Sequence, residues 1–131
     1  MCIFCSIADG SIPAHKIYED DHIVAFLDIA QVTKGHTLVI PKRHYEHFLA
    51  CDNELLSHLM LKAQIIGNHI MNKTGAKGMH ILSNINEAAG QSVAHFHVHL
   101  IPRYDAQDAC QIHFAQSEPQ DLANLAKQLA V

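Results

Sequence analysis

The segment AHFHVHLIP, residues 94–102, places His95, His97 and His99 at every second position with apolar residues between them. Imidazole, with an ordinary pKa near ~6.5, is largely neutral at pH 7 and can serve as nucleophile, proton carrier or metal ligand. In a strand the three rings share one face, while Phe96, Val98 and Leu100 share the other and belong to the core. At a rise of roughly 3.3 Å per residue, His95 and His99 stand about 13 Å apart, too far for all three to converge on one ion at Zn–N distances of about 2 Å. The three rings therefore divide the work. Two further groups have chemical spacing. Cys2 and Cys5 stand as C-x-x-C and supply half of a tetrahedral metal site, whereas Cys51 and Cys110 carry no motif. Directly before the histidines runs GQSV, where Gly90 permits close backbone approach. There Gln91, Ser92 and the Val93 amide can donate to phosphate oxygens.

These residues need a scaffold, and the patterning predicts one. HKIYED (15–20) and HIVAFLD (22–28) read as strands across the turn-prone Asp20-Asp21. HTLVI (36–40) reads as a third strand, stopped by Pro41. From Asp52, a plausible N-cap, apolar residues recur at helical spacing from Leu55 to Met71 and end near Gly75, which predicts one long helix. MHILS (79–83) and VAHFHVHLI (93–101) read as two further strands, separated by polar, glycine-containing NINEAAGQ. Leu122, Leu125, Ala126 and Leu129 mark a terminal helix. Strands interrupted by one helix, with no regular β-α alternation, predict an α+β domain with a mainly antiparallel five-stranded sheet.

Composition narrows the function. With 131 residues and 49% hydrophobic content, one domain with a real core is expected over 1–131. The net charge of −4 and the scattered basic residues argue against a nucleic-acid footprint, and a small, contained substrate fits better. No window is apolar enough to span a bilayer, and MCIFCSIADG lacks the form of a secretory signal, so the expected location is cytoplasmic, with the cysteines as thiols or metal ligands.

The chain resembles the histidine triad family, whose pattern His-φ-His-φ-His-φ-φ is matched from His95 to Ile101. The resemblance runs roughly from Cys2 to Arg103, leaving 104–131 as a C-terminal extension. DIAQVTKGHTLVIPKRH (28–44) resembles the family's nucleotide-binding strand pair, and NINEAAGQSV (84–93) its loop leading into the triad. The resemblance implies a homodimer that hydrolyses or transfers nucleoside monophosphate groups from phosphoramidates or phosphoanhydrides. By position, it makes His97 the nucleophile, His99 and His36 flanking donors to phosphate oxygens, and Ser92 the residue near the leaving group. Asp28 would bind the ribose hydroxyls, Ile29 would pack on the base, and Asn84 would be a further loop contact. Relatives often carry Asn-x-Gly where this chain has Asn86, so the backbone there is a point for the structure to decide. Relatives that keep the N-terminal C-x-x-C complete a zinc site with residues that correspond here to His44 and His95. This implies a closed, structural zinc held by Cys2, Cys5, His44 and His95. The leading expectation is a purine nucleoside phosphoramidate hydrolase working through a nucleotidyl-histidine. A dinucleoside polyphosphate hydrolase, a metallohydrolase using a triad histidine to activate water, and a non-catalytic nucleotide-binding module are the alternatives.

Overall fold

The computed structural model describes all residues from Met1 to Val131. Five strands form one antiparallel sheet in the order β1-β2-β3-β5-β4, with β1 Lys16–Glu19, β2 Ile23–Leu27, β3 Thr37–Pro41, β4 Gly78–Leu82 and β5 Val98–Arg103. Helix α1 covers Ile3–Ala8, α2 Asn53–Thr74 and α3 Leu122–Leu129. The α+β reading, the β1-β2-β3 meander and the long helix are all present. Helix α2 begins where expected, with the Asp52 carboxylate accepting from the Leu55 amide. It ends at Gly75, whose φ of 72° lies in the left-handed region that glycine adopts without steric cost.

The runs IVAFL and TLVIP are apolar without alternation because the centre of the sheet is covered on both faces. Ile23, Ala25, Val39, Val98 and Leu100 face α2, where they meet Leu59, Ala63, Ile66 and Ile70. Val24, Phe26, Leu38 and Ile40 point the other way and pack against Phe4 and Ile7 of α1. Strand β5 lies between β3 and β4, with His99 opposite both Leu38 and Leu82. One end of β5 is thereby fixed on both sides.

Two expectations are corrected. The histidine segment is not one strand, because regular pairing begins only at Val98, and the chain bends over residues 93–95 and reaches the sheet through 96–97 without regular structure. Here the Phe96 amide donates to the Tyr45 carbonyl at 2.6 Å, outside any ladder. Alternation still holds for the apolar side, since Phe96, Val98 and Leu100 all enter the core on the α2 face. The second correction is α1, a short helix in a stretch read only for its cysteines. At the end of β5, Arg103 and the Tyr104 amide both donate to Asp108, closing a turn. Residues 111–120 are exposed and irregular, and α3 buries none of its residues.

Candidate functional site

Three elements carry the histidines into reach of one another, and backbone contacts decide what each ring can do. His95 is fully buried and its Nε2 lies 2.8 Å from the Pro41 carbonyl. A carbonyl only accepts, so Nε2 carries the proton and the Nδ1 lone pair is left free. That lone pair points at the N-terminal cysteines. His95 Nδ1 is 3.3 Å from Cys2 Sγ, 3.5 Å from Cys5 Sγ and 3.2 Å from His44 Nδ1, and Cys5 Sγ is 3.4 Å from His44 Nδ1. All four ligand atoms lie within 4.8 Å of one another. A tetrahedral zinc with bonds of about 2.0–2.3 Å sets its ligands roughly 3.3–3.8 Å apart, so the donor set and its spacing fit that ion. The Pro41 carbonyl supplies the outer contact that fixes a ligating histidine's tautomer.

His97 is oriented in the opposite sense. Its Nδ1 donates to the His95 carbonyl at 2.7 Å, which leaves the Nε2 lone pair for the cavity. Burial is the main cause of a pKa below the ordinary histidine value, opposed by that hydrogen bond and by Asp28, so the ring is held neutral. The backbone of His97 is itself pinned, because Ser83 Oγ donates to its carbonyl at 2.7 Å.

His99 and His36 form a pair, with His99 Nδ1 3.0 Å from His36 Nε2 and the rings stacked at 5.2 Å. His36 Nδ1 is buried without a partner. A buried lone pair is less costly to leave unpaired than a buried N–H, so the proton belongs on Nε2 of His36, which donates to His99. His99 then presents an Nε2–H donor. Burial first, and then the neighbouring His97 and His36, lower its pKa to about 4.

Asp28 sits where β2 ends. Its Oδ1 accepts from the Ala30 amide at 2.8 Å, and its Oδ2 lies 3.7 Å from His36 Nε2. Gln31 braces this turn by donating to the carbonyls of Asp28 and His36 and accepting from the Gly35 amide. Asp28, His36 and His99 thus form a second group whose ligand atoms lie within 4.8 Å. In sequence no carboxylate stands beside the triad, and the β2–β3 pairing brings one there.

A cavity of about 550 Å³ opens above these groups, walled by Phe4, Ile7, Phe26 and Leu38 and edged by Asp28, Ile29, Ser92, Val93, His97 and His99. Apolar walls with a few convergent polar groups suit an aromatic base attached to a polar sugar phosphate. The Ser92 and Val93 amides donate to nothing within the chain. Gln91, read as a phosphate donor, instead uses both amide hydrogens on the carbonyls of Glu46 (2.6 Å) and Val93 (3.0 Å), and its oxygen accepts from the Asn86 amide. It shapes the loop. Asn84 stands 3.5 Å from the Gly90 carbonyl in the same loop. Ser83 and Phe4 carry no signal in the sequence, and Pro41 reads there only as a strand stop, although it is the last residue of β3. Ser83 and Pro41 act on backbone carbonyls or through their own, and such contacts leave no mark on residue type.

Asn86 is the chain's one non-glycine residue with positive φ, at φ 68° and ψ 167°. That region suits glycine and strains a side chain by about 1–3 kcal/mol. Asn86→Gly should therefore raise stability by about 1 kcal/mol after the extra chain entropy of glycine is subtracted, or about 3–5 °C in melting temperature. Thermal unfolding checks this, and an unchanged or lower midpoint would show that the turn is not strained.

The comparisons agree with this architecture. The HIT domain family matches residues 9–106. The chain is 44% identical over 133 residues to Protein hit of Bacillus subtilis (strain 168), covering 98% of this chain and 92% of that protein. It superposes with a TM-score of 0.90 on the crystal structure of a HIT family protein from Bacillus anthracis, at 45% identity, covering 98% of this chain and 94% of that one. Over 102 residues it is 38% identical to adenylylsulfatase HINT3 of Arabidopsis thaliana, covering 78% of this chain and 52% of that protein.

Proposed function

Because the chain belongs to the HIT family, a family of nucleotide-binding hydrolases and transferases, we propose that it cleaves nucleoside 5′-phosphoramidates at the α-phosphorus through a nucleotidyl-histidine. The observation that carries this reading is the tautomer of His97, whose Nδ1–H is tied to the His95 carbonyl while Nε2 faces the cavity. In the first step Nε2 attacks the α-phosphorus, a phosphorus–nitrogen bond to imidazole forms, and the bond to the leaving amine breaks as that amine takes up a proton from solvent, which the attacking water of the second step returns. In the second step water attacks phosphorus, the imidazole leaves, and a nucleoside monophosphate is released. His99 and the free amides of Ser92 and Val93 donate to the non-bridging oxygens as charge develops on them. The Ser92 hydroxyl stands at the leaving-group side, Asp28 binds the ribose hydroxyls, and exposed Ile29 closes on the base.

Zinc held by Cys2, Cys5, His44 and His95 would serve as a fold-stabilising crosslink, its four protein ligands leaving no position for water or substrate. A second reading, metal-activated water, is favoured by the Asp28, His36 and His99 group. Trapping labelled nucleotide on the protein separates the two, since metal-activated water forms no covalent adduct. The leaving group is tested by measuring adenosine phosphoramidate and diadenosine polyphosphate hydrolysis side by side. We expect kcat/KM to favour the phosphoramidate, and a preference for the dinucleotide would transfer the protein to the other branch. The relative named adenylylsulfatase supports variation in leaving group around a constant adenylyl unit.

The assembly proposed is a homodimer. Strand β4 is a sheet edge carrying exposed Ile81, and α2 exposes Leu61 and Ile65, apolar surface of the kind that a second copy buries. Light scattering at micromolar concentration should give twice the chain mass of 14.5 kDa, and a monomer would exclude the proposal.

A further inference from the structure

The nucleophile's hydrogen bond fixes only one point of its ring. With Nδ1 tied to the His95 carbonyl, His97 can still swing about that contact and carry Nε2 away from the phosphorus. Phe4 blocks the swing. Its ring centroid lies 5.1 Å from that of His97 at 84°, on a different element from the His99 ring that also borders His97 at 4.9 Å, and His95 at 5.9 Å and Phe26 at 5.7 Å stand edge-on to it. Phe4 itself is carried by α1, a helix of six residues, far too short to persist in water on its own propensity. Cys2 and Cys5 flank Phe4 in sequence, the Cys2 sulfur accepts from the Cys5 amide at 3.3 Å, and both sulfurs belong to the four-ligand cluster. The cluster and the nucleophile therefore meet at two places, the His95 backbone and the Phe4 ring.

We propose that Phe4 is a positioning residue for His97, and that the Cys2, Cys5, His44 and His95 cluster acts on the reaction by holding Phe4 in place. The proposal rests on the nucleotidyl-histidine reading for its kinetic consequence and on geometry alone for its structural one. The cluster then stabilises the fold and also sets how often the nucleophile is aimed.

The test compares three proteins: zinc-loaded wild type, wild type stripped with a chelator, and zinc-loaded Phe4→Leu, with zinc content and circular dichroism recorded for each. An aromatic ring this close shifts the NMR resonances of the His97 ring protons by its ring current. Phe4→Leu should keep stoichiometric zinc and its fold and lower kcat about tenfold with KM within about threefold of wild type; the shift vanishes there with the ring itself, so the split between kcat and KM is what tests positioning. Stripped wild type should lose the same shift. A wild-type kcat in Phe4→Leu, or a change confined to KM, would reduce Phe4 to a cavity wall and overturn the proposal. Unchanged His97 resonances in stripped, folded protein would overturn the role of the cluster. If zinc removal unfolds the chain, zinc-loaded Cys5→Ser takes the place of the stripped protein, and unchanged His97 resonances there overturn the role of the cluster. Should wild type form no covalent adduct, the nucleotidyl reading fails by itself, and the comparison of zinc-loaded with stripped wild type, which needs no turnover, still decides whether the cluster holds Phe4 against His97.

Discussion

His97→Ala is expected to lower turnover of a nucleoside phosphoramidate by on the order of 10⁴-fold and to abolish labelled nucleotide on the protein, because neither of the other two triad histidines offers a free imidazole lone pair to the cavity. Its neighbours are committed elsewhere. His95 directs its lone pair to the cysteines, and the His99 Nδ1 lone pair accepts from His36. The fold should survive, since His97 leaves the α2 core of Phe96, Val98 and Leu100 untouched and truncation only enlarges an existing cavity. Thermal unfolding within a few degrees of wild type, about 1 kcal/mol, would confirm that loss of activity is chemical. His97→Gly with added imidazole should recover part of the rate, because the cavity can admit the missing ring. Turnover within a few-fold of wild type in His97→Ala would exclude this nucleophile.

The second large effect is expected from Cys2→Ser combined with Cys5→Ser. Removing both sulfurs should abolish stoichiometric zinc and lower the melting temperature by about 10 °C or more, on the order of 3 kcal/mol for a chain of this length. The loss is large because zinc binding is linked to folding. The four ligands come from α1 and its N-cap, the segment after β3 and the stretch before β5, which are far apart in an unfolded chain. Their deletion also frees α1 from the sheet face where Phe4 and Ile7 pack on Val24, Phe26, Leu38 and Ile40. Activity of the surviving folded protein should fall less than in His97→Ala, by a factor of about ten, through loss of the aim on His97. Freshly purified wild type without metal, or a chelator that stops turnover at once with no change in melting temperature, would contradict a structural metal. The second result would instead favour metal-activated water.

Residue type and spacing alone determined much of this protein. The C-x-x-C pair, the Asp52-to-Gly75 helix and the apolar strand runs are local signals, and each corresponds to an element or a cluster of ligand-capable atoms in the structure, whereas the period-two histidines enter β5 only from Val98 onward. Helix caps and binary patterns are legible because they depend on neighbours within a few residues. Tertiary structure alone decided what each imidazole can do. Three rings of one residue type, two positions apart, differ only in the partner each meets: the Pro41 carbonyl for His95, the His95 carbonyl for His97 and the His36 ring for His99. A proton's place on imidazole is set by that partner, and the partners lie on backbone or on distant strands. Likewise, α1 escaped the pattern because a six-residue helix is held by its sulfurs and by a sheet face built from residues 24 to 40. The Gln91 side chain shows the same limit. Its type suits a phosphate donor, and three backbone groups brought to it by folding make it a brace.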